Sequence, residues 1–180
     1  MKKIHIILGS TRNGRNGGKV ASWVMSQISK LNLPNVTFEL IDLLDWNLPF
    51  LEYHLPPMTG EYPSGVVTSW ASKIGEADGY LVITPEYNHG YPAVLKNSLD
   101  LINKEWNNKP IAFVSYGASS GGTRAVEQLI QVAIELRMIP LKDQVNIRNV
   151  WAAFDESGDI TDSTLTPLLH ATLTNISARA

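Results

Sequence analysis

Five short apolar runs, each followed by a stretch of helical periodicity, constrain this chain more than anything else in it. The runs are residues 3–8, 36–41, 79–83 and 110–116, with a less sharply drawn fifth inside 138–147. A run of this length, apolar throughout and bounded by turn residues, suits a strand covered on both faces. Between the runs, apolar residues return every three or four positions. Val20, Val24, Ile28 and Leu31 predict a helix over 19–31, with Trp23 on or near that face. Val67, Trp70, Ala71 and Ile74 predict one over 64–77. Val126, Leu129, Ile130 and Ala133 predict one over 123–137, and Leu165, Leu168, Leu169, Leu173 and Ile176 another over 161–179. Pro92 opens a further helix over 93–102, since its fixed φ is already helical and its missing N–H costs nothing in the first turn. Alternation of this kind implies an α/β fold, a parallel sheet with helices on both faces. Five such strands fit the doubly wound order 2-1-3-4-5, whose switch point lies between strands one and three.

Composition narrows the classes. A chain of 180 residues suits a single domain over 1–180 with a full-sized core. Hydrophobic residues make up 44% and charged residues 18%, the balance of a globular protein. A net charge of -2 argues against nucleic acid as the main partner. The absence of cysteine excludes disulfides, thiol catalysis and cysteine-ligated metals. His54 has no second histidine at metal spacing, and no metal is expected. Lys2-Lys3 ahead of residues 4–8 looks like an export signal at a glance, but the run is too short and Gly9-Ser10-Thr11-Arg12 breaks it. No apolar run approaches a membrane span. The expectation is a cytoplasmic protein with neither membrane nor nucleic acid as partner.

In an open α/β sheet, ligands bind beyond the carboxyl ends of the strands. After strand one comes G-S-T-R-N-G-R-N-G-G, residues 9–18. Glycines let backbone amides approach an anion, a helix N-terminus favours negative charge, and Arg12 and Arg15 can grip phosphate oxygens. Neither a Walker P-loop nor G-x-G-x-x-G is present. After strand three comes T-P-E-Y-N-H-G-Y-P, residues 84–92. Pro85 is expected to end the strand ladder, because it has no N–H to give. Tyr87 and Tyr91 offer flat apolar faces, while Glu86, Asn88 and the loop amides offer hydrogen bonds. After strand four comes a small, amide-rich loop, S-Y-G-A-S-S-G-G, residues 115–122. One loop suits a phosphate and two suit a flat ring. A mononucleotide with a large planar base fits, and flavin mononucleotide (FMN) fits best.

Residues 42–63 form a long segment rich in proline and aromatics, including Trp46, Phe50, Tyr53 and Tyr62. A segment of this length and apolarity covers a site, packs on its own domain, or meets a second subunit.

G-S-T-R-x-G-R at 9–15, P-E-Y-N-x-G-Y-P-A-x-L-K-N at 85–97 and S-Y-G…G-G at 115–122 resemble the NADPH-dependent FMN reductase family. That flavodoxin-like group contains quinone, azo and chromate reductases. The resemblance runs from strand one through helix four, in order and with matching spacing. It implies that Ser10, Arg12 and Arg15 take the FMN phosphate. It implies that Pro85, Glu86, Tyr87 and Asn88 run along the isoalloxazine edge, and that Tyr116 and Gly117 lie beside the ring. Many members carry a serine and an asparagine where this chain has Arg15 and Gly17, which shifts the phosphate grip toward arginine. The implied activity is hydride transfer from NADPH or NADH through FMN to a small acceptor such as a quinone, azo compound, metal oxyanion or free flavin, with ping-pong kinetics. The flavin carries that chemistry, so no catalytic side chain is assigned and Glu86 is read as orienting its loop. Assembly as a homodimer or a dimer of dimers is expected, through part of 42–63 or the 91–102 helix. The alternative is a non-enzymatic electron carrier of the flavodoxin type. Such a carrier should be strongly acidic and lack arginine in its phosphate loop, unlike this chain.

Overall fold

The computed structural model describes residues 1–62 and 65–180. Its strands are β1 (Lys2–Leu8), β2 (Val36–Asp42), β3 (Gly79–Pro85), β4 (Pro110–Tyr116) and β5 (Ile139–Ile147). Its helices are α1 (Gly17–Leu31), α2 (Gly65–Gly75), α3 (Ala93–Asp100), α4 (Thr123–Glu135) and α5 (Leu165–Arg179). All neighbouring strands pair in parallel, in the order β2-β1-β3-β4-β5. This is the flavodoxin-like arrangement that the alternation predicts.

Successive side chains of a strand point to opposite faces, so each central strand feeds two cores. Ile4, Ile6, Leu8, Leu81, Ile83, Ala112 and Val114 pack under α1 and α5. Ile7, Tyr80, Val82, Ile111 and Phe113 pack under α2, α3 and α4. Both residue sets must be apolar for the sheet to be covered twice. That is why β3 and β4 are buried along their whole length and read as unbroken apolar runs.

Several boundaries differ from expectation for local reasons. The ladder does not stop before Pro85. Pro85 pairs with Tyr116, and the Glu86 amide donates to the Tyr116 carbonyl at 3.1 Å. The Gly9 amide donates to Ile83, so the β1 side of β3 is served at Ile83 and again falls to residue 85, where β1 has already ended. Proline therefore loses no partner there. Helix α5 begins four residues later than its periodicity suggests. The Thr161 amide donates to Ala153 at 2.9 Å, and the Asp162 carboxylate accepts from the Thr164 amide and hydroxyl at 3.0 and 2.6 Å. Side-chain bonds of this kind favour a turn over helix. The predicted helix start at Ser64 and the end of the predicted segment at Pro63 lie outside the described residues.

The segment 43–62 folds onto its own domain through its aromatics. The Tyr53 hydroxyl donates to the Leu101 carbonyl, and Tyr62 donates to Glu105 at 2.6 Å. Trp46 meets Trp70 edge to face at a centroid distance of 4.9 Å. Leu43 is buried with them and Leu48 packs beside it, whereas Leu44, Phe50, Leu51, Leu55 and Met58 face outward, Phe50 71% and Met58 74% exposed.

Candidate functional site

The loops after β1, β3 and β4 meet beyond the carboxyl edge of the sheet, around a cavity of about 270 Å³. Arg12, Arg15, Pro85, Glu86, Tyr87, Tyr116 and Gly117 all line it. Ser10 lies buried beneath, and its hydroxyl is 2.7 Å from the Tyr87 hydroxyl. Asn88 is not part of the wall. It sits with His89 in a tight turn, both at positive φ (51° and 68°), closed by hydrogen bonds in both directions between Tyr87 and Gly90. Asparagine tolerates that left-handed backbone, and the turn fixes where Tyr87 projects.

The two arginines have different surroundings. Arg12 is exposed and makes no ion pair or side-chain hydrogen bond among the described residues. Arg15 is largely enclosed. Its guanidinium donates to the Ser10 carbonyl and forks onto Asp42 at the end of β2, with one contact of 2.8 Å. The hydrogen bond to Asp42 holds the Arg15 pKa above its ordinary value. Arg15 thus reaches the cavity with its charge already matched, whereas the Arg12 charge is free.

Helix α1 starts at this edge with no side-chain cap on its first turn and no acidic residue in it. Its amides are therefore available to an anion. Gly17 at its start has a packing reason. A Cβ there would stand 2.6 Å from the Tyr116 hydroxyl and 2.8 Å from Leu8 Cδ1. This accounts for the glycine at the start of α1. The Tyr116 hydroxyl is buried without a hydrogen-bond partner among the described residues, facing Ser10 and the Gly17 amide. Burial pushes its pKa up, so it remains a phenol.

Glu86 is engaged rather than free. Its carboxylate accepts from the Arg124 guanidinium at 2.8 Å and from the Arg124 amide at 3.2 Å. Burial opposes its charge, but bonds from Arg124 and Ser120 outweigh this and hold its carboxyl below the usual range. An ionised carboxylate spent on these partners ties the loop after β3 to the start of α4. Next to it, the Ser115 hydroxyl donates to the Gly121 carbonyl at 2.7 Å and accepts from Asn146 at 2.8 Å. Gly122, at φ +88°, lets the chain double back over Ser115.

Sequence reasoning overlooked Asp42, Val150 and Trp151. In the sequence Asp42 marks no more than the start of the long 42–63 segment. Val150 and Trp151 follow β5 and carry no motif, yet both line the cavity. They are brought there by two backbone bonds, Asn149 to Ala118 at 3.0 Å and Val150 to Gly117 at 3.1 Å.

The chain matches the family model described as NADPH-dependent FMN reductase over residues 2–152. An NAD(P)H-dependent FMN reductase of Schizosaccharomyces pombe is 43% identical over 76% of this chain and 68% of its own length. An NAD(P)H:quinone oxidoreductase of Solanum tuberosum is 31% identical over 99% of this chain and 92% of its own. Among solved structures, a flavoenzyme NAD(P)H:(acceptor) oxidoreductase of Paracoccus denitrificans superposes with a TM-score of 0.71. It is 22% identical over 99% of this chain and 96% of that one, a likeness of fold.

Proposed function

We propose that this chain, which belongs to the NADPH-dependent FMN reductase family, is an NAD(P)H-dependent reductase that holds FMN in the cavity at the ends of β1, β3 and β4 and reduces a small acceptor. Quinones, azo compounds, metal oxyanions and free flavin are the acceptor classes. The observation that carries the reading is the convergence of a free cation, an uncapped helix start and two tyrosines on one cavity at the switch point of the sheet. Bound FMN supplies the hydride-accepting and hydride-donating chemistry. The chain's own residues bind and orient. Arg12 and the first amides of α1 take the phosphate, above the buried Ser10. Pro85, Glu86 and Tyr87 form the edge beside the ring, with the turn at Asn88 fixing Tyr87 and the Glu86–Arg124 pair holding that loop in place. Tyr116 and Gly117 flank the ring, and the Tyr116 hydroxyl, without a hydrogen-bond partner among the described residues, is a donor toward the cofactor. No side chain is required as a base, and the site assigns none.

A flavin held at the edge of the sheet offers one face, so the nicotinamide and the acceptor use the same opening in turn. Initial-rate plots at several acceptor concentrations should then give parallel double-reciprocal lines, and intersecting lines would require a ternary complex. Anaerobic addition of NADPH or NADH should bleach the flavin spectrum. Bound flavin that stays oxidised under either nucleotide would make the protein an electron carrier instead.

The assembly that fits this chain is a homodimer or a dimer of dimers built on the outward face of 43–62. Phe50, Met58, Leu44, Leu51 and Leu55 are exposed there, while Trp46, Tyr53 and Tyr62 pin the segment to the domain. An anchored apolar surface of this kind is a docking face rather than a loose loop. Sedimentation velocity at micromolar concentration should give a species of twice or four times the chain mass. A monomer would remove the proposal.

A further inference from the structure

We propose that the hollow adjoining the FMN cavity receives the adenosine-phosphate half of the nicotinamide dinucleotide, with the Trp151 indole as the platform for adenine. The inference rests on the reductase reading above.

This hollow has a volume of about 540 Å³ and lies between the first turns of α1 and the turn that follows β5. It shares Trp151 with the FMN cavity, so a ligand can run from one into the other over the indole. Trp151 is 64% exposed, whereas Trp23, Trp70 and Trp106 are buried and Trp46 packs against the core. The exposure is not that of a loose chain. Val150 is buried, and the backbone on either side is fixed by bonds from Val150 to Gly117 at 3.1 Å and from Ala152 to Asn149 at 2.9 Å. A rigid backbone that presents a large flat ring to solvent at the mouth of a binding cavity is a preformed stacking surface.

The other walls supply the polar groups that an adenosine phosphate needs. Lys19 is exposed and makes no ion pair among the described residues, and the Ser22 hydroxyl makes no hydrogen bond among them. Phe154 adds an apolar floor, held edge to face on Trp23 at 6.4 Å. The Asp155 carboxylate is occupied by its own turn, accepting from the Ser157 amide at 2.9 Å, the Ser157 hydroxyl at 2.7 Å and the Asp159 amide at 3.0 Å. Glu156 is therefore the acid free to accept from ribose hydroxyls. A cation, a hydroxyl, a free carboxylate and an exposed indole in one hollow match phosphate, ribose and adenine. The nicotinamide end must enter the FMN cavity to react, so the remainder of the dinucleotide has to lie on an adjoining surface, and this hollow is one.

The test uses the FMN-saturated full chain and ADP-ribose, which carries the adenosine diphosphate half without nicotinamide. Calorimetry should show ADP-ribose binding to the native chain. Trp151→Ala should weaken it about tenfold, the scale of one lost base–aromatic stack, and Trp151→Phe should recover most of that. Lys19→Ala should also weaken it and flatten its salt dependence. In steady state, Trp151→Ala should raise KM for NADPH or NADH at least fivefold more than KM for reduced nicotinamide mononucleotide, which lacks the adenosine half. If Lys19→Ala acts on NADPH more than NADH, the lysine meets the 2′-phosphate; an equal effect places it on the diphosphate, and both results uphold the site. The proposal is overturned if the native chain binds no ADP-ribose, or if Trp151→Ala binds it unchanged. It is equally overturned if Trp151→Ala splits an oligomer while nucleotide affinity holds, since the indole would then cover a second copy of the chain. Failure of the reductase reading is distinguishable. Bound flavin would stay oxidised under NAD(P)H whatever residue stands at position 151.

Discussion

Arg12→Ala is expected to bind FMN about thirtyfold more weakly than the native chain, a loss of about 2 kcal/mol, the scale of a charge-assisted hydrogen bond. Its affinity for riboflavin, which has no phosphate, should stay within about twofold, because only a phosphate contact is removed. The reason is that the Arg12 charge is unmatched among the described residues, so a phosphate is its natural counter-ion. Arg15→Ala should behave differently. That guanidinium is already forked onto Asp42 and bonded to the Ser10 carbonyl, and it braces the loop after β1 against the end of β2. Losing it leaves the Asp42 carboxylate partly enclosed without its partner and loosens the backbone around Ser10. FMN and riboflavin should then both bind more weakly, by similar factors, at a cost of about 1 kcal/mol or more. Fluorescence titration of each variant with each flavin reads the difference directly. An Arg12→Ala variant that loses both flavins equally would mean that Arg12 does not meet the phosphate. An Arg15→Ala variant that loses FMN alone would return that arginine to the phosphate grip.

Trp70→Ala should remove about 4 kcal/mol of stability, within the range of large-to-small changes at buried tryptophans. Against a total of roughly 5–15 kcal/mol, that is a large share, and the midpoint of thermal unfolding should fall by roughly 10 °C. Trp70 is fully buried on α2 and donates its indole N–H to the Ser98 carbonyl at 2.9 Å. It also stands edge to face between Trp46 at 4.9 Å and Trp106 at 6.4 Å. Neither neighbour can close the gap without giving up its own packing. Trp46 is one of the residues that hold the 43–62 segment on the domain, so the substitution should also weaken self-association through that segment. Trp70→Phe keeps part of the apolar volume and should cost roughly half as much. Calorimetry on the three proteins checks the order. A loss below about 1.5 kcal/mol for Trp70→Ala would mean that the core collapses into the space, and the cluster would not be the rigid anchor described.

Local sequence was enough for the architecture. Strand and helix periods differ, and each central strand is apolar on both faces because both faces are covered. The five runs therefore revealed the parallel sheet, its order and the three loops at its ligand-binding edge. Within those loops, the cues that survived into the structure were backbone cues. Asn88 takes a left-handed turn, Pro92 precedes a helix, and the glycines after β1 and β4 allow close approach. Helix starts were less legible where a side chain competes for the same amides, as Asp162 does ahead of α5.

Tertiary structure decided what each side chain faces. Nothing near Arg15 in the chain distinguishes it from Arg12, since both are arginines in a glycine-rich loop. The distinction comes from Asp42, which the pairing of β2 with β1 carries to the same edge, at the far end of a helix and a strand. Gly17 looks like flexibility until Tyr116, nearly a hundred residues on, is seen to occupy the space of its missing side chain. Trp151 sits in a stretch without a motif until two backbone bonds swing it from the end of β5 to the mouth of the cavity. Periodicity and turn chemistry are properties of neighbours in the chain, and the sequence alone determines them. Charge matching, steric exclusion and ring exposure are properties of neighbours in space, and only the folded sheet brings those residues together.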